Sequence, residues 1–96
     1  VVVLKGAGTV IADPDGGVSV LDVGNPGMAT GGTGDVLAGM IGGLLAQGLE
    51  PVRAAQAGAL WHGAAGDLAA SQRGVESMIA SDVLEYLGDV LVDWAR

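Results

Sequence analysis

The sequence contains no cysteine and no phenylalanine, and only three of its 96 residues are aromatic. Without cysteine the chain can form neither a disulfide nor a thiolate metal site. Basic residues are also scarce, since four Lys and Arg stand against eleven Asp and Glu and give a formal net charge of −7. Proteins that bind DNA or RNA neutralise phosphates with basic side chains, so this composition argues against nucleic acid as a partner.

Long hydrophobic runs are missing as well. The longest apolar stretch, residues 36–46, ends at Gln47 and is shorter than the roughly 20 residues that span a bilayer. The N-terminus has no basic segment of the kind that opens a signal peptide. We therefore expect no membrane partner and a cytoplasmic location.

The sequence is rich in small residues, with eighteen glycines, and its β-like runs are short. The opening run Val1–Leu4 is typical of a buried parallel strand with neighbours on both edges, which suggests that residues 1–96 are one segment of a larger domain. Two β-like runs, residues 9–12 and 18–22, flank Asp13–Gly17, whose turn chemistry predicts a β-hairpin with a glycine bulge.

Apolar spacing, Pro51 and the N-cap candidate Ser81 predict three helices, over residues 34–47, over 51–70 and after 81. One face of the last helix is expected to bury Leu84, Leu87, Leu91 and Trp94. Glycines inside the first helix lower its propensity, so we expect close approach of another element at Gly39, Gly42 and Gly43. Strand, hairpin and three helices form an α/β pattern that lacks most of its sheet.

The most informative segment is Asn25–Asp35, a glycine-dense loop in front of the first helix. The first N–H groups of a helix are unpaired and carry partial positive charge, and small residues let an anion approach them. The segment therefore predicts an anion hole for a transferring phosphoryl group, made by Gly31, Gly32, Thr33 and Gly34. The hydroxyls of Thr30 and Thr33 would add donors.

Asp35 places a negative charge where that anion should dock, which is unfavourable unless the carboxylate has a task. The task that we predict is to accept the proton of an attacking hydroxyl, as a catalytic base. The alternative is that the loop is a connector and that Asp35 caps the helix, since Asp is a favoured N-cap residue.

Other polar residues give weaker signals. Lys5 follows the first strand, where lysine is usually a solvated charge, but the small residues after it suggest a phosphate or ribose contact. His62, the only histidine, is interpreted as a packed or surface residue rather than a catalytic one. Asp67 and Arg73 are interpreted as charges on a helix surface.

The run Asn25–Leu49 resembles the signature of the ADP/ATP-dependent NAD(P)H-hydrate dehydratases, a carbohydrate-kinase-like family of the ribokinase-like superfamily. Members carry Asn-Pro-Gly-Met-Ala-Thr-Gly-Gly-Thr-Gly-Asp before a glycine-rich helix, as this chain does. The similarity extends back through Lys5–Ile11 and forward through Ala80–Asp82. It implies the C-terminal portion of a ribokinase-like three-layer α/β/α domain, whose N-terminal part lies outside these residues.

The resemblance implies nucleotide-dependent dehydration of (S)-NAD(P)H-hydrate to NAD(P)H, a hydro-lyase reaction of metabolite repair. ADP would give AMP and phosphate, with ATP as the co-substrate of eukaryotic members and Mg²⁺ beside the nucleotide. By the same resemblance, Gly34 touches the phosphates and Asp35 contacts the hydrate, while the nucleotide is lined by Lys5, Gly6, Ala7, Gly8 and Thr9. A homo-oligomer, tetrameric among relatives, and a fused or paired NAD(P)H-hydrate epimerase domain are also implied.

Two other functions stay open. The first is a small-molecule kinase of the same fold, which would use the same machinery but release the phosphorylated product; the stretch Pro26–Thr30 favours the dehydratase. The second is a non-catalytic piece that pairs its exposed strand with another chain.

Overall fold

A computed structural model describes residues 1–4, 9–24, 28, 32–74 and 79–94, with the backbone alone for residues 91–94. Three short strands precede three helices: β1 Val2–Leu4, β2 Thr9–Ala12, β3 Val18–Leu21, α1 Thr33–Ala46, α2 Pro51–Arg73 and α3 Ala80–Trp94. The predicted order of elements is therefore confirmed. None of the helices in the described ranges combines the length and the hydropathy needed to cross a membrane.

The three strands form an antiparallel sheet in the order β1-β2-β3. The predicted strand is present as β1, but it runs antiparallel to β2, and Val2 and Leu4 are 55% and 62% exposed. That a parallel strand covers its other edge stays a prediction. Only four residues separate Leu4 from Thr9. A parallel pair needs a crossover of a dozen or more residues, so the short connection dictates the antiparallel direction.

The β2–β3 hairpin confirms the predicted glycine bulge. The Gly16 N–H donates to the Asp13 carbonyl (3.0 Å), and the Asp13 N–H donates to the Gly17 carbonyl (2.8 Å). Gly16 has a φ of 94°, a left-handed conformation that glycine adopts without a steric penalty. A three-residue loop that ends on a left-handed residue is one of the common hairpin connections.

Helices cover one face of the sheet and leave the other open. On the covered face, one apolar core joins β2 to α1 and α2 through Ile11, Leu37, Ala55 and Ala59. On the open face, Val2, Leu4, Val18 and Val20 are 55–68% exposed. A contiguous apolar surface of this kind is typical of an interaction surface, so we expect further polypeptide to pack on it.

Helix α2 lies at the centre of the helical layer because nearly all of its buried positions are Ala or Gly. A second core, Met28, Ala65, Ala69, Val83 and Val90, joins α2 to α3 and to the loop before α1. The Trp61 indole N–H also donates to the Leu87 carbonyl of α3 (2.9 Å). These contacts place the start of α1 against the middle of α2.

The start and the buried face of α3 differ from the prediction. The helix begins at Ala80, so Ser81 is not its N-cap; instead, the Asp82 carboxylate accepts the Ile79 N–H (2.8 Å). Val83 rather than Leu84 is buried, and Leu84 is 54% exposed. The buried Val83 shares a core with Ala65 and Ala69 of α2, and Leu87 packs against that core. The side chains of Leu91 and Trp94 lie outside the described residues.

Candidate active site

The N-terminal end of α1, residues 32–35, is the helix mouth, where the first backbone N–H groups of the helix lie. Gly32 is the N-cap residue with φ 95° and ψ −17°, and no side chain caps the helix. The Gly32 carbonyl accepts the Val36 N–H (3.1 Å), so residues 33–35 form the first turn. The N–H groups of this turn point out of the helix mouth, where the partial positive charge of the helix favours an anion.

Asp35 is the third residue of α1 and is exposed to solvent. The alternative hypothesis, in which Asp35 is the N-cap, is wrong, because Gly32 occupies that position and no side chain forms a capping hydrogen bond. Gly34, also exposed, lies directly before it. The structure thus brings Gly32, Thr33, Gly34 and Asp35 together in a single turn, whereas Gly31 lies outside the described residues.

The Thr33 side chain does not point at the site. Thr33 is 2% exposed, and its hydroxyl donates to the Met28 carbonyl. The expectation that this hydroxyl adds a donor for an anion is therefore wrong. Its bond instead closes the end of the loop onto the helix, which leaves backbone N–H groups as the donors that the first turn offers.

Gly32 is required by its backbone and by its neighbour. A φ of 95° is strained for any residue with a Cβ, and a Cβ added there would lie 3.1 Å from the Cβ of Ala80. We expect Gly32→Ala to lower the free energy of unfolding by about 1–2 kcal/mol, the usual penalty of a left-handed non-glycine residue. Denaturant unfolding of the complete protein measures this loss, and Gly48→Ala is the matched control for strain alone, since Gly48 has φ 95° but no neighbour within 4 Å. An effect at position 32 smaller than at position 48 would contradict the prediction.

An open groove of about 460 Å³ starts at Asp35 and follows α1. Its walls include Gly39 and Gly43 of α1, Trp61 of α2 and Leu84 of α3. The expected close approach at the glycines of α1 is not found, since among the described residues no atom lies within 4 Å of a Cβ added at Gly39, Gly42 or Gly43. The glycines that allow close packing are instead on α2.

The predicted nucleotide segment is described only at its edge. Lys5, Gly6, Ala7 and Gly8 lie outside the described residues, and Thr9 begins β2. Thr9 pairs with Leu21, three residues before Gly24. The connection from β1 to β2 and the exit from β3 are therefore at the same end of the sheet, which is the end from which the chain leaves toward the helix mouth.

Two polar residues of α2 contact the loop, and the sequence interpretation assigned them no role. His62 is 2% exposed, and its Nε2 lies 2.9 Å from the Thr33 carbonyl oxygen. The Asp67 carboxylate accepts the Gly24 N–H (3.0 Å). A signal was present, because these are the only hydrophilic side chains between residues 57 and 70, in a stretch otherwise built of Ala, Gly, Leu and Trp.

Arg73 ties the end of α2 to the first turns of α3. Its guanidinium contacts the carboxylates of Glu85 (2.7 Å) and Asp82 (3.5 Å) and lies 5.9 Å from the centre of the Tyr86 ring. The hydrogen bond to Tyr86, followed by the charges of Glu85 and Asp82, raises the pKa of Arg73 above its ordinary value. Arg73 is thus an exposed helix charge, as predicted, and the structure also pairs it with two carboxylates of α3.

The described residues do not form a metal cage. Within the ranges that the structure covers, no group of three or more His, Asp and Glu side chains is placed to hold a metal ion. Mg²⁺ in nucleotide sites is commonly bound by one or two carboxylates together with the phosphates of the substrate.

The sequence model of the NAD(P)H-hydrate dehydratase family matches residues 1–88. The bifunctional NAD(P)H-hydrate repair enzyme Nnr of Moorella thermoacetica is 60% identical over 91 residues, which are 95% of this chain and 17% of that protein. The ADP-dependent (S)-NAD(P)H-hydrate dehydratase of Neisseria meningitidis is 48% identical over 83 residues, 85% of this chain and 28% of that protein.

A solved structure agrees with these relatives. The ADP/ATP-dependent NAD(P)H-hydrate dehydratase of Bacillus subtilis, co-crystallised with ATP and Mg²⁺, matches 94% of this chain with a TM-score of 0.87 and 37% identity. The match covers 32% of that chain. The fold class predicted from the sequence is confirmed, and the chain spans between about a sixth and a third of the length of these proteins.

Proposed function

Since this chain belongs to the NAD(P)H-hydrate dehydratase family, we propose that the complete protein dehydrates (S)-NAD(P)H-hydrate to NAD(P)H with a nucleotide as co-substrate. The terminal phosphoryl group of the nucleotide would pass to the hydrate hydroxyl, and phosphate would then leave. With ADP the products are AMP, phosphate and NAD(P)H. The observation that carries the proposal is the first turn of α1, where N–H donors and an exposed carboxylate lie side by side.

The helix mouth supplies the electrostatic part of this reaction. Phosphoryl transfer places developing charge on the oxygens of the transferred group, and fixed N–H donors stabilise that charge without reorganisation. We assign this role to the backbone N–H groups of Gly31, Gly32, Thr33 and Gly34. The N-cap at Gly32 supports the assignment because no side chain caps the helix there and competes with an anion for these N–H groups.

Asp35 supplies the proton acceptor. Its carboxylate stands one residue after Gly34, on the same turn as the proposed donors, and it opens onto the groove along α1. A base held in this position would remove the proton of the hydrate hydroxyl as that oxygen attacks the phosphorus. Asp35 contributes mainly through its position, because a base that is already held beside the hydroxyl lowers the entropic part of the activation barrier.

The nucleotide would be bound at the sheet end beside the helix mouth. We assign its contacts to Lys5, Gly6, Ala7, Gly8 and Thr9, with Gly34 at the phosphates. The position of Thr9 opposite Leu21 supports this assignment. The ADP-dependent relative from Neisseria meningitidis and the Bacillus subtilis enzyme crystallised with ATP and Mg²⁺ support ADP or ATP as the co-substrate and Mg²⁺ as its companion ion. A homo-oligomer, a cytoplasmic location and a linked epimerase domain stay predictions.

An absorbance assay tests the proposal. The complete protein, incubated with hydrated NADH and ADP and then with ATP, is expected to restore absorbance at the reduced-nicotinamide band. A kinase that acts on the hydrate and releases the phosphorylated product would instead consume nucleotide without restoring that band. The absence of any recovery with either nucleotide would reject the dehydratase.

The open face of the sheet supports one part of the non-catalytic alternative, namely that this segment needs further polypeptide to function. Because Val2, Leu4, Val18 and Val20 lack cover among the described residues, the 96 residues alone are expected to be inactive in this assay. Activity of the complete protein, with inactivity of the isolated segment, is the outcome that agrees with both observations.

A further inference from the structure

Helix α2 contacts the glycine loop at both ends and near its middle. At the entrance, the Gly24 N–H donates to the Asp67 carboxylate (3.0 Å). Near the middle, the Met28 side chain lies so close to Gly66 that a Cβ there would be 2.2 Å from its sulfur. At the exit, the Thr33 carbonyl contacts His62 Nε2 at 2.9 Å.

We propose that His62 and Asp67 are positioning residues, which fix the two ends of the loop to α2 and thereby aim the helix mouth and Asp35 at the transferring phosphate. This inference rests on the proposed function for its consequence in catalysis. The fixed loop itself is a property of the fold and can be measured without a substrate.

The contact of His62 defines the direction of its hydrogen bond. A carbonyl oxygen only accepts, so Nε2 carries the proton and donates to Thr33. Both residues are 2% exposed, and losing the donor would leave a buried carbonyl without this partner. The Thr33 hydroxyl in turn holds the Met28 carbonyl, so one ring nitrogen orders both the end of the loop and the first turn.

Asp67 performs the matching task at the entrance. Gly24 has a φ of 101°, as strained for other residues as the 95° of Gly32 at the exit. Both ends of the loop are thus left-handed glycines, and α2 accepts a hydrogen bond from one end and donates a hydrogen bond to the other. His62 and Asp67 lie about 7.5 Å apart along the axis of α2, at 1.5 Å a residue, and this span fixes the separation of the ends.

A small displacement of Asp35 is enough to affect the rate of phosphoryl transfer. Asp35 is only two residues beyond Thr33, so any movement of the Thr33 carbonyl is carried directly to the carboxylate. A misplacement of about 1 Å can lower the rate of a positioned reaction by roughly 100-fold. The effect is expected in kcat, because the groups that move are those aimed at the reacting atoms.

The test compares three substitutions on α2 in the complete protein. His62→Leu removes the donor at similar volume, whereas His62→Gln retains an N–H that can reach Thr33. Gln56→Leu is the matched control, since it removes a 2.8 Å hydrogen bond from the same helix to Ser19, away from the loop. The melting temperature of each variant measures general loss of stability.

For His62→Leu we expect kcat to fall about 100-fold with the nucleotide KM changed only a few-fold. His62→Gln should restore most of the rate, and Gln56→Leu should keep the kcat of the unaltered protein. In a purely structural role, His62→Leu and Gln56→Leu would lower the melting temperature alike and leave kcat per folded molecule unchanged. That result would overturn the proposal.

Amide hydrogen exchange gives the readout that needs no activity. In His62→Leu the Val36 N–H, which bonds to Gly32, is expected to exchange at least about 10-fold faster because local opening becomes easier. The Gly48 N–H at the other end of α1 should be unaffected. If the protein does not act on the hydrate but the Val36 N–H exchanges faster in His62→Leu, the proposed function is refuted and the positioning role is supported. If the exchange rate of the Val36 N–H is unchanged in His62→Leu, the positioning role is overturned.

Discussion

Replacement of Asp35 by asparagine is expected to lower kcat by about 100- to 10 000-fold, the range over which a positioned base contributes. Asparagine has nearly the same shape, but its amide cannot accept the proton of the hydrate hydroxyl. Nucleotide affinity should hold or rise, because a negative charge beside the proposed phosphate position has been removed. Steady-state assays with hydrated NADH measure kcat, and equilibrium titration with ADP measures the nucleotide Kd.

The control for this substitution is Asp89→Asn, which makes the same change of charge at an exposed position of α3. Turnover of that variant should equal that of the unaltered protein. The split between kcat and Kd separates a base from a charge that merely helps to bind the nucleotide. Unchanged turnover of Asp35→Asn would remove Asp35 from the mechanism.

A methyl group added at Gly63 is expected to have the largest effect on stability. Gly63 lies in α2, and a Cβ there would be 2.3 Å from Cγ2 and 2.9 Å from Cβ of Val23, with the Val23 carbonyl carbon at 3.3 Å. Real Cβ atoms do not approach so closely, so either the loop entrance or α2 must move. Overpacking of this kind lowers the free energy of unfolding by about 1–3 kcal/mol.

The matched control is Gly88→Ala on α3, where no described atom lies within 4 Å of the added Cβ. There the substitution should raise stability by up to about 1 kcal/mol, because alanine has the higher helix propensity. Denaturant unfolding of both variants in the complete protein measures the difference. Effects of the same sign at the two positions would show that Gly63 is not in the tight contact described.

Local chemistry made the hairpin and the C-terminal ends of α1 and α2 predictable. Asp13–Gly17 forms its turn through bonds among its own residues, and Gly48 and Gly74 end their helices with positive φ. The start of α1 was predictable for the same reason, since the left-handed Gly32 and the first turn that follows it are adjacent in sequence. In each case the decisive atoms are close in sequence.

What could not be predicted depends on distant partners. His62 contacts the Thr33 carbonyl 29 positions away, and Asp67 accepts a hydrogen bond from Gly24 43 positions away. No local sequence pattern therefore distinguished His62 and Asp67 from packed or solvated side chains. The glycines of α1 show the converse error. Their cost in helix propensity suggested close contact, but among the described residues it is Gly58 of α2 that packs closely, against Ile41.

A crystal structure of the complete protein with bound nucleotide tests the central claim most directly. We expect oxygens of the terminal phosphate within hydrogen-bonding distance of the N–H groups of residues 32–34, with the Asp35 carboxylate facing the acceptor side of the phosphorus. A terminal phosphate bound elsewhere, with the mouth of α1 facing only solvent, would contradict it.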